Sequence, residues 1–377
     1  MSNLHIKNAA IISDGTRENN RELWITEGVF TEKIPGVEYE TIDAEGLYAL
    51  PGFIDTHIHG FGGKGTEDGD KNSILKMSEI LAKTGVTSFF PTIYTDTQER
   101  IIRDIKACTE ASGEEKGASI AGIHVEGPFI SPDRIGAQNP LGRLSPSKDD
   151  FMNMLNAGKG LIKAMTMASE LDGIEEIAKL AIENNVKPLL GHTNANYEET
   201  VKGASFGITH ATHLFNAMSG LHHRNPGVVG AVLSEKNMTA EIIADGKHVA
   251  PAAIKAVFAA KGKEGIVIIT DSLRPTLQED GVKTANGVEV EMGDGLWVTK
   301  GRPELIQGST LSMDIALKNL VSWGFSIEDA SYMLSASPAD IYKLSDRGRI
   351  KNGLRADLVL MDKDLNLKMV IVKGEIK

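Results

Sequence analysis

The run Phe53-Ile-Asp-Thr-His-Ile-His59, set between Pro51-Gly52 and Gly60, is short, largely apolar and ends on two histidines two positions apart. It reads as a β-strand. Side chains at i and i+2 of a strand point to the same side. His57 and His59 can therefore approach one metal ion, although an isolated pair of this kind is equally a polar strand end.

The same pattern recurs along the chain. Short apolar or β-branched runs stand at Phe53–His59, Ser88–Ile93, Ile120–Glu126, Leu161–Met167, Pro188–His192, Ile208–His213, Ala240–Ala244 and Ile266–Thr270. Helix-like stretches lie between the early ones, among them Lys71–Lys83, Gln98–Ala111 and Gly173–Asn184. Strand–helix alternation argues for a parallel sheet. Eight such strands between residues 53 and 270 fit an α/β fold, a closed (β/α)8 TIM barrel, with a doubly wound open sheet as the alternative.

Barrel enzymes carry their chemistry at the C-terminal strand ends, and the polar residues fall there. Glu126 ends the third run in His124-Val-Glu-Gly-Pro-Phe, and His192 ends the fifth in Leu190-Gly-His-Thr. His213 ends the sixth in His210-Ala-Thr-His, and Asp271 ends the eighth in Ile268-Ile-Thr-Asp. One such residue is ordinarily a satisfied core or loop-anchoring group. Four histidines and two carboxylates at one end of different strands are better explained as ligands. With no thiolate among them they suit zinc, iron or manganese. A cation of this kind makes a hydroxide nucleophile from water near neutral pH.

The chain ends read differently. Residues 1–52 and 345–377 hold short strand-like runs (His5–Ile12, Leu23–Thr26, Gly46–Leu50, Leu358–Leu360, Met369–Val372). Neither end could bury a core alone. They are expected to combine into one small β-sandwich beside a barrel domain of residues 53–344. Residues 281–300, with Asn286-Gly287 and Asp294-Gly295, read as hairpins inserted after the eighth strand. Ser309–Trp323 returns to a helical pattern.

The 377 residues are 41% hydrophobic and 24% charged, enough for one large domain and a small one. Lys plus Arg is 40 against 51 Asp plus Glu, and no basic stripe suited to nucleic acid is visible. No run reaches the ~18 apolar residues of a membrane span. Met1–Asn8 lacks the apolar core of a signal peptide. The single cysteine, Cys108, cannot form an intrachain disulfide and reads as a buried free thiol on a helix. The expectation is a cytoplasmic protein that binds neither nucleic acid nor membrane.

The strand-end set resembles that of the amidohydrolase superfamily, and within it the chain resembles the N-acetylglucosamine-6-phosphate deacetylases. The resemblance rests on Pro51–Gly60, His124–Pro132 (HVEGPFISP), Thr212–Met218 (THLFNAM), Asn225–Gly230 (NPGVVG), Ile242–Val249 (IIADGKHV) and Ile268–Asp271. It covers nearly the whole chain. It implies that Glu126, His192 and His213 hold a catalytic divalent metal. His57 and His59 would bind a second, bridged by Glu126, giving one or two ions per chain. Asp271, beside the metal, would take a proton from the attacking water and return it to the leaving amine. His248 would hydrogen-bond the sugar and polarise the acetyl carbonyl. Asn216, the backbone at Ala217 and Arg224 would meet the sugar phosphate, with Arg224 reaching the neighbouring site of a homodimer. Ala137, Gln138, Ile306, Gln307 and Gly308 would line the sugar and acyl pocket.

Some positions depart from the family. Ser272 follows the strand-eight acid, Leu273-Arg-Pro-Thr276 replaces a more apolar, Gly-containing stretch, Ile306-Gln-Gly-Ser309 is unusual, and Gln138 stands where some members have a histidine. The resemblance places these around the sugar and acyl pocket. Two further features are set aside. Gly60-Phe-Gly-Gly-Lys-Gly65 matches a dinucleotide fingerprint, but the histidines directly precede it, so it reads as a Gly-rich loop near the metal. Lys163, where many amidohydrolases carry a bridging carbamylated lysine, reads as a barrel-interior ion-pair partner because Glu126 fills the bridging role.

The resemblance thus implies a metal-dependent hydrolase that removes acetate from N-acetyl-D-glucosamine 6-phosphate. The alternatives are N-acetyl-D-galactosamine 6-phosphate or another N-acyl substrate on the same scaffold. From a different class, the alternative is a catalytically inactive amidohydrolase-like binding or assembly protein.

Overall fold

The computed structural model describes residues 3–279 and 281–377. At its centre eight parallel strands form a barrel. They are β1 (Phe53–Ile58), β2 (Val86–Ile93), β3 (Ile123–Glu126), β4 (Ile162–Met167), β5 (Lys187–Leu190), β6 (His210–Ala211), β7 (Thr239–Ile243) and β8 (Ile266–Ile269). Each pairs with the next, from β1–β2 through β7–β8. Just past the ladder, β8 is tied back to β1. The Asp271 amide donates to the His57 carbonyl at 2.9 Å, and Thr270 Oγ1 donates to the buried Asp55 carboxylate at 2.6 Å.

Every residue of β1, β2 and β8 is buried. A sheet covered on both faces shows no polar alternation, so these strands read as continuous apolar runs. The helices at Lys71–Ala82, Gln98–Ala111 and Ile174–Glu183 match the stretches expected. Their starts have local causes. Asp70 accepts from the Ser73 amide at 3.0 Å, and Gly173 takes a left-handed φ of 83° before Ile174. Two strands are shorter than expected. Ile120–Glu126 is split into Ser119–Ile120 and β3, and Ile208–His213 is reduced to β6. Among the described residues no helix is long and apolar enough to cross a membrane.

Both termini contribute to one further sheet. Leu4–Ser13, Thr16–Thr26, Val29–Thr31, Glu40–Asp43 and Tyr48–Pro51 come from one end, and Leu358–Met361, Leu367–Val372 and Glu375–Ile376 from the other. Leu4–Ser13 pairs with Glu40–Asp43 along its first half and with Tyr48–Pro51 along its second. Leu358–Met361 joins antiparallel to Tyr48–Pro51. The expected sandwich is therefore one hydrogen-bonded sheet around a core that includes Leu4, Ile6, Ile25, Phe30, Leu358 and Ile371. Residues from both ends are needed to fill it.

The inserted hairpins form a four-stranded antiparallel sheet: Lys283–Ala285, Val288–Gly293, Leu296–Thr299 and Arg302–Gly308. Both turns have positive φ at two successive residues, 47° and 74° at Asn286-Gly287 and 48° and 77° at Asp294-Gly295, the geometry favoured in two-residue hairpins. The fourth strand lies beyond the expected limit at residue 300. The following helix starts at Met313; before it, Ser309 and Leu311 bond to the residues just past β8, where Ser309 Oγ donates to the Thr270 carbonyl at 2.5 Å and Ser272 Oγ donates to the Leu311 carbonyl.

Cys108 is free and buried, and burial pushes its thiol well up. Lys163 corrects an expectation. It is half-buried near the start of β4, far from the strand ends that carry ligands, and makes no ion pair among the described residues.

Arg355 clamps the terminal sheet to the barrel. It pairs with buried Asp357 at 2.7 Å and donates to the Thr87 carbonyl in β2 at 3.1 Å. Arg355→Ala leaves the Asp357 charge buried without its partner, a change that costs about 3–5 kcal/mol. Urea denaturation should show a loss of that size. A loss typical of an exposed pair, ~0–1 kcal/mol, would mean that water replaces the guanidinium.

Candidate metal centre and active site

Glu126, the last residue of β3, is buried among imidazoles. Its Oε1 lies 3.1 Å from His192 Nε2, 2.8 Å from His213 Nε2 and 3.5 Å from His57 Nε2. Its Oε2 lies 3.1 Å from His59 Nε2. Asp271 Oδ1 faces the same point, 3.6 Å from His57 Nε2 and 3.5 Å from His59 Nε2. Two groups able to hold a cation result, His57–His59–Glu126 and Glu126–His192–His213, which share Glu126. His57–His213–Asp271 is a third grouping at the same place, and His57–His124–Glu241 is a fourth, on the Nδ1 side of the His57 ring.

Three of the rings are held from behind. His57 Nδ1 meets Glu241 at 3.1 Å, His59 Nδ1 the Thr92 carbonyl at 3.1 Å and His192 Nδ1 the Arg134 carbonyl at 2.9 Å. Carbonyls and carboxylates only accept, so Nδ1 carries the proton and the Nε2 lone pair is left to face inward. His57 Nε2 is buried and has no hydrogen-bond partner. A buried nitrogen orphaned beside a carboxylate is satisfied by a divalent cation. The nitrogen and oxygen donors, without sulfur, fit zinc, iron or manganese.

The electrostatics point the same way. Burial opposes charge on Glu126, His57 and His192. Even so, the histidines hold the Glu126 carboxyl well below the usual range, and Glu126 in turn lifts His57 and His192. Glu241 is likewise held down, to about 2: burial raises it, and the bond and charge of His57 outweigh that. Burial pushes Asp55 up to about 7.

The backbone bends to make this arrangement. φ is 46° at His192, 29° at His213 and 50° at Asp271, with Phe215 at 82° and Ala217 at 50°. Residues other than glycine avoid this region at a cost of about 1–3 kcal/mol each, and such strain gathers at functional sites. Here it ends β5, β6 and β8 at the residues that face Glu126.

A cavity of about 230 Å³ opens over the carboxylate. Its lining includes Ala137, Gln138, Asn216, Ala217, His248, Ile306, Gln307 and Gly308, together with His59, Glu126, His192, His213 and Asp271. His57 lies fully buried just below. His248 Nδ1 is held by Asp245 at 2.6 Å, which leaves Nε2 for the cavity. Gln138 has a second contact that the sequence did not suggest: its Nε2 donates to Glu126 Oε2 at 2.5 Å, while its Oε1 accepts from the Thr95 amide at 2.7 Å. Arg224 is exposed and does not line the cavity of its own chain. His222 and His223 are exposed with it.

Ser272, Leu273 and Arg274 correct the expectation that they line the sugar pocket. Ser272 Oγ donates to the Leu311 carbonyl, Leu273 packs with Val290 and Trp297, and Arg274 pairs with Asp68 at 3.2 Å. They fasten the inserted sheet. The Gly-rich loop is fastened too: the Gly62 and Gly63 amides donate to the Thr276 and Arg274 carbonyls at 2.9 and 2.8 Å, so they are not free to cradle a phosphate.

Four residues were missed. Glu241, Asp55 and Asp245 hold ring or backbone nitrogens of His57 and His248, and Tyr94 stacks on His59 with ring centroids 3.7 Å apart. For Glu241 a signal existed, an acid in the middle of an otherwise apolar strand, Thr239–Ile243.

Residues 48–377 match the amidohydrolase family. The chain belongs to that family. It is 34% identical over 390 residues to the N-acetylglucosamine-6-phosphate deacetylase of Bacillus subtilis (strain 168), covering 99% of this chain and 96% of that one. It is 32% identical over 363 residues to the N-acetylgalactosamine-6-phosphate deacetylase of Escherichia coli O157:H7, covering 95% of each. Among solved structures it is similar to a mutant N-acetyl-D-glucosamine-6-phosphate deacetylase from Mycobacterium smegmatis in complex with N-acetyl-D-glucosamine-6-phosphate. The TM-score is 0.93 at 27% identity, over 100% of this chain and 99% of that one.

Members of the amidohydrolase family are metal-dependent, and the ligand clusters of this chain fit that chemistry. His192→Asn should abolish tight metal binding, because it removes a nitrogen from the group that also holds His213. His57→Gln combined with His59→Asn should leave that group intact and retain one metal. Elemental analysis of the two proteins decides; loss of all metal from the double variant alone would invert the assignment.

Proposed function

We propose that this amidohydrolase removes the acetyl group from N-acetyl-D-glucosamine 6-phosphate, releasing acetate and D-glucosamine 6-phosphate in the cytoplasm. The observation that carries the reading is the complete ligand set beside Asp271, opening directly into a cavity that also holds His248, Asn216 and Gln307. That completeness also weighs against a catalytically inactive binding or assembly protein. The site is proposed to hold two divalent cations, with Glu126–His192–His213 filled first and His57–His59–Glu126 second. Bound there, the metal supplies Lewis acidity for the acetyl carbonyl and activates the attacking water.

The protein's own groups do the rest. Asp271 is 13% exposed at its side chain, enough to meet substrate, and its Oδ1 lies 3.6 and 3.5 Å from Nε2 of His57 and His59. It takes the proton of the attacking water and delivers it to the amine as the C–N bond breaks, the work of a general base turned general acid. His248, fixed by Asp245, points Nε2 at the substrate and hydrogen-bonds the acetyl carbonyl or a sugar hydroxyl. Asn216 and Ala217 line the cavity, and the proposed role for them is to meet the phosphate arm. Arg224 is exposed beside the exposed Leu221, and the proposed role for it is to meet the phosphate in the cavity of a second copy, within a homodimer.

The Escherichia coli O157:H7 relative supports a second reading, the same reaction on N-acetylgalactosamine 6-phosphate, because its identity to this chain is nearly the same. Acetate release from both sugar phosphates, measured on metal-replete protein, separates the two. Release from neither would sink both.

Asp271→Asn cannot accept the proton of water. kcat should fall by about 10²–10⁴ while substrate still binds. Near-normal turnover of the metal-replete variant would remove Asp271 from the mechanism.

Arg224→Ala should raise KM for the phosphorylated sugar and leave the weak reaction of the unphosphorylated sugar almost unchanged, because a guanidinium–phosphate contact is charge-assisted and specific. Equal damage to both substrates would make Arg224 structural.

A further inference from the structure

Glu241 lies fully buried at the middle of β7, directly behind His57. Its Oε2 accepts from His57 Nδ1 at 3.1 Å and from the His213 amide at 3.4 Å. Its Oε1 accepts from the Tyr342 hydroxyl at 3.1 Å and from Thr56 Oγ1 at 3.5 Å. Among the described residues no lysine or arginine pairs with Glu241, Glu126 or Asp271; their charged neighbours are histidines alone. A carboxylate buried among neutral donors is costly unless a positive charge lies within reach.

The route to such a charge is the His57 ring. A carboxylate behind Nδ1 fixes the tautomer, fixes the ring plane and makes Nε2 a stronger donor to a cation. The other two rings held at Nδ1 have weaker support: neutral carbonyls, of Thr92 for His59 and of Arg134 for His192. Among the described residues, His57 is the one of the four histidines around Glu126 with an anion at Nδ1. Glu126, Asp271 and Glu241 bring at least three negative charges to this end of the barrel. One divalent cation answers two of them; a second answers the rest.

We infer that Glu241 is a positioning residue that determines whether the His57–His59–Glu126 group holds a cation, acting through His57 without touching substrate or metal. The inference rests on the two-cation reading given above.

The test is metal stoichiometry. Wild type, Glu241→Gln and Glu241→Asp are stripped of metal and titrated with zinc by calorimetry, with elemental analysis after dialysis. Wild type should take two equivalents. Glu241→Gln keeps the shape and loses the charge. It should retain the first binding step and weaken the second by about 10–100-fold, the usual effect of losing such a support. Glu241→Asp keeps the charge but draws it back from His57, so it should weaken the same step, and it carries the test if the Gln variant does not fold. In a His57→Asn background, Glu241→Gln should cause no further loss. Two steps of wild-type affinity in either variant overturn the inference. So does equal weakening of both steps, the outcome of a generally loosened barrel. A wild-type chain that takes only one equivalent overturns the two-cation reading itself, so the two failures are distinguishable.

Discussion

A single carboxylate, Glu126, sits where the Nε2 atoms of four histidines converge, and the C-terminal end of the barrel is arranged around it. A buried anion of this kind is stable only if its partners arrive at fixed distances. The barrel meets that requirement with the ends of β1, β3, β5 and β6, whose positions are set by the ladder. The left-handed turns at His192, His213 and Asp271 do the final steering. Asp271 joins the two constructions: its amide ties β8 to β1 and its carboxylate faces the same histidines. Barrel closure and the site are one arrangement.

The wall opposite is built by different means. Ile306, Gln307 and Gly308 arrive on the last strand of the inserted sheet. Among the described residues that sheet has no ladder to the barrel; one backbone bridge joins Ser309 to Ser272, and side chains add to it: Asn286 donates from Nδ2 to the Ala137 carbonyl at 3.1 Å and from its amide to the Glu67 carboxylate. Leu273 and Tyr94 pack beneath it with Trp297. The residues that depart from the family pattern at 272–274 are thus explained as fasteners of this wall, in a region that sequence likeness alone assigns to substrate.

What was legible in the sequence follows the same division. Apolar runs announce barrel strands because both faces are covered, and the histidines and acid that end such runs are the groups brought together around Glu126. The fourth inserted strand was not legible: Arg302-Pro-Glu is polar, and its only reason to extend is the partner strand Leu296–Thr299. Ile208–His213 was read too long because nothing in its composition marks the left-handed turn at His213. Glu241 and Asp55 escaped because their meaning lies across the barrel. Glu241 meets His57 over a separation of 184 residues, and Asp55 meets Thr270 over 215. No local pattern encodes such pairings. Gln138 was found, but its bond to Glu126 appears only once Thr95 is seen to lock the amide in place.

This division bears on substrate choice. The two sugars under consideration differ only in the configuration at C4, whereas the scissile amide hangs from C2. The metal side of the cavity, fixed by strand ends, therefore meets the same chemistry in both. The inserted wall lines the rest of the cavity with Ile306, Gln307 and Gly308. Gln307 Nε2 is already bonded to Thr299 Oγ1 at 2.8 Å, so its carbonyl oxygen is the end that remains to accept from a hydroxyl. A site that hydrogen-bonds one hydroxyl rejects the analogue that cannot reach it far more strongly than an apolar pocket could. Sequence likeness transfers the ligands of Glu126 readily because the ladder holds them. It says less of the wall, where residues 272–274 and 306–307 depart from the family pattern and 272–274 serve as fasteners.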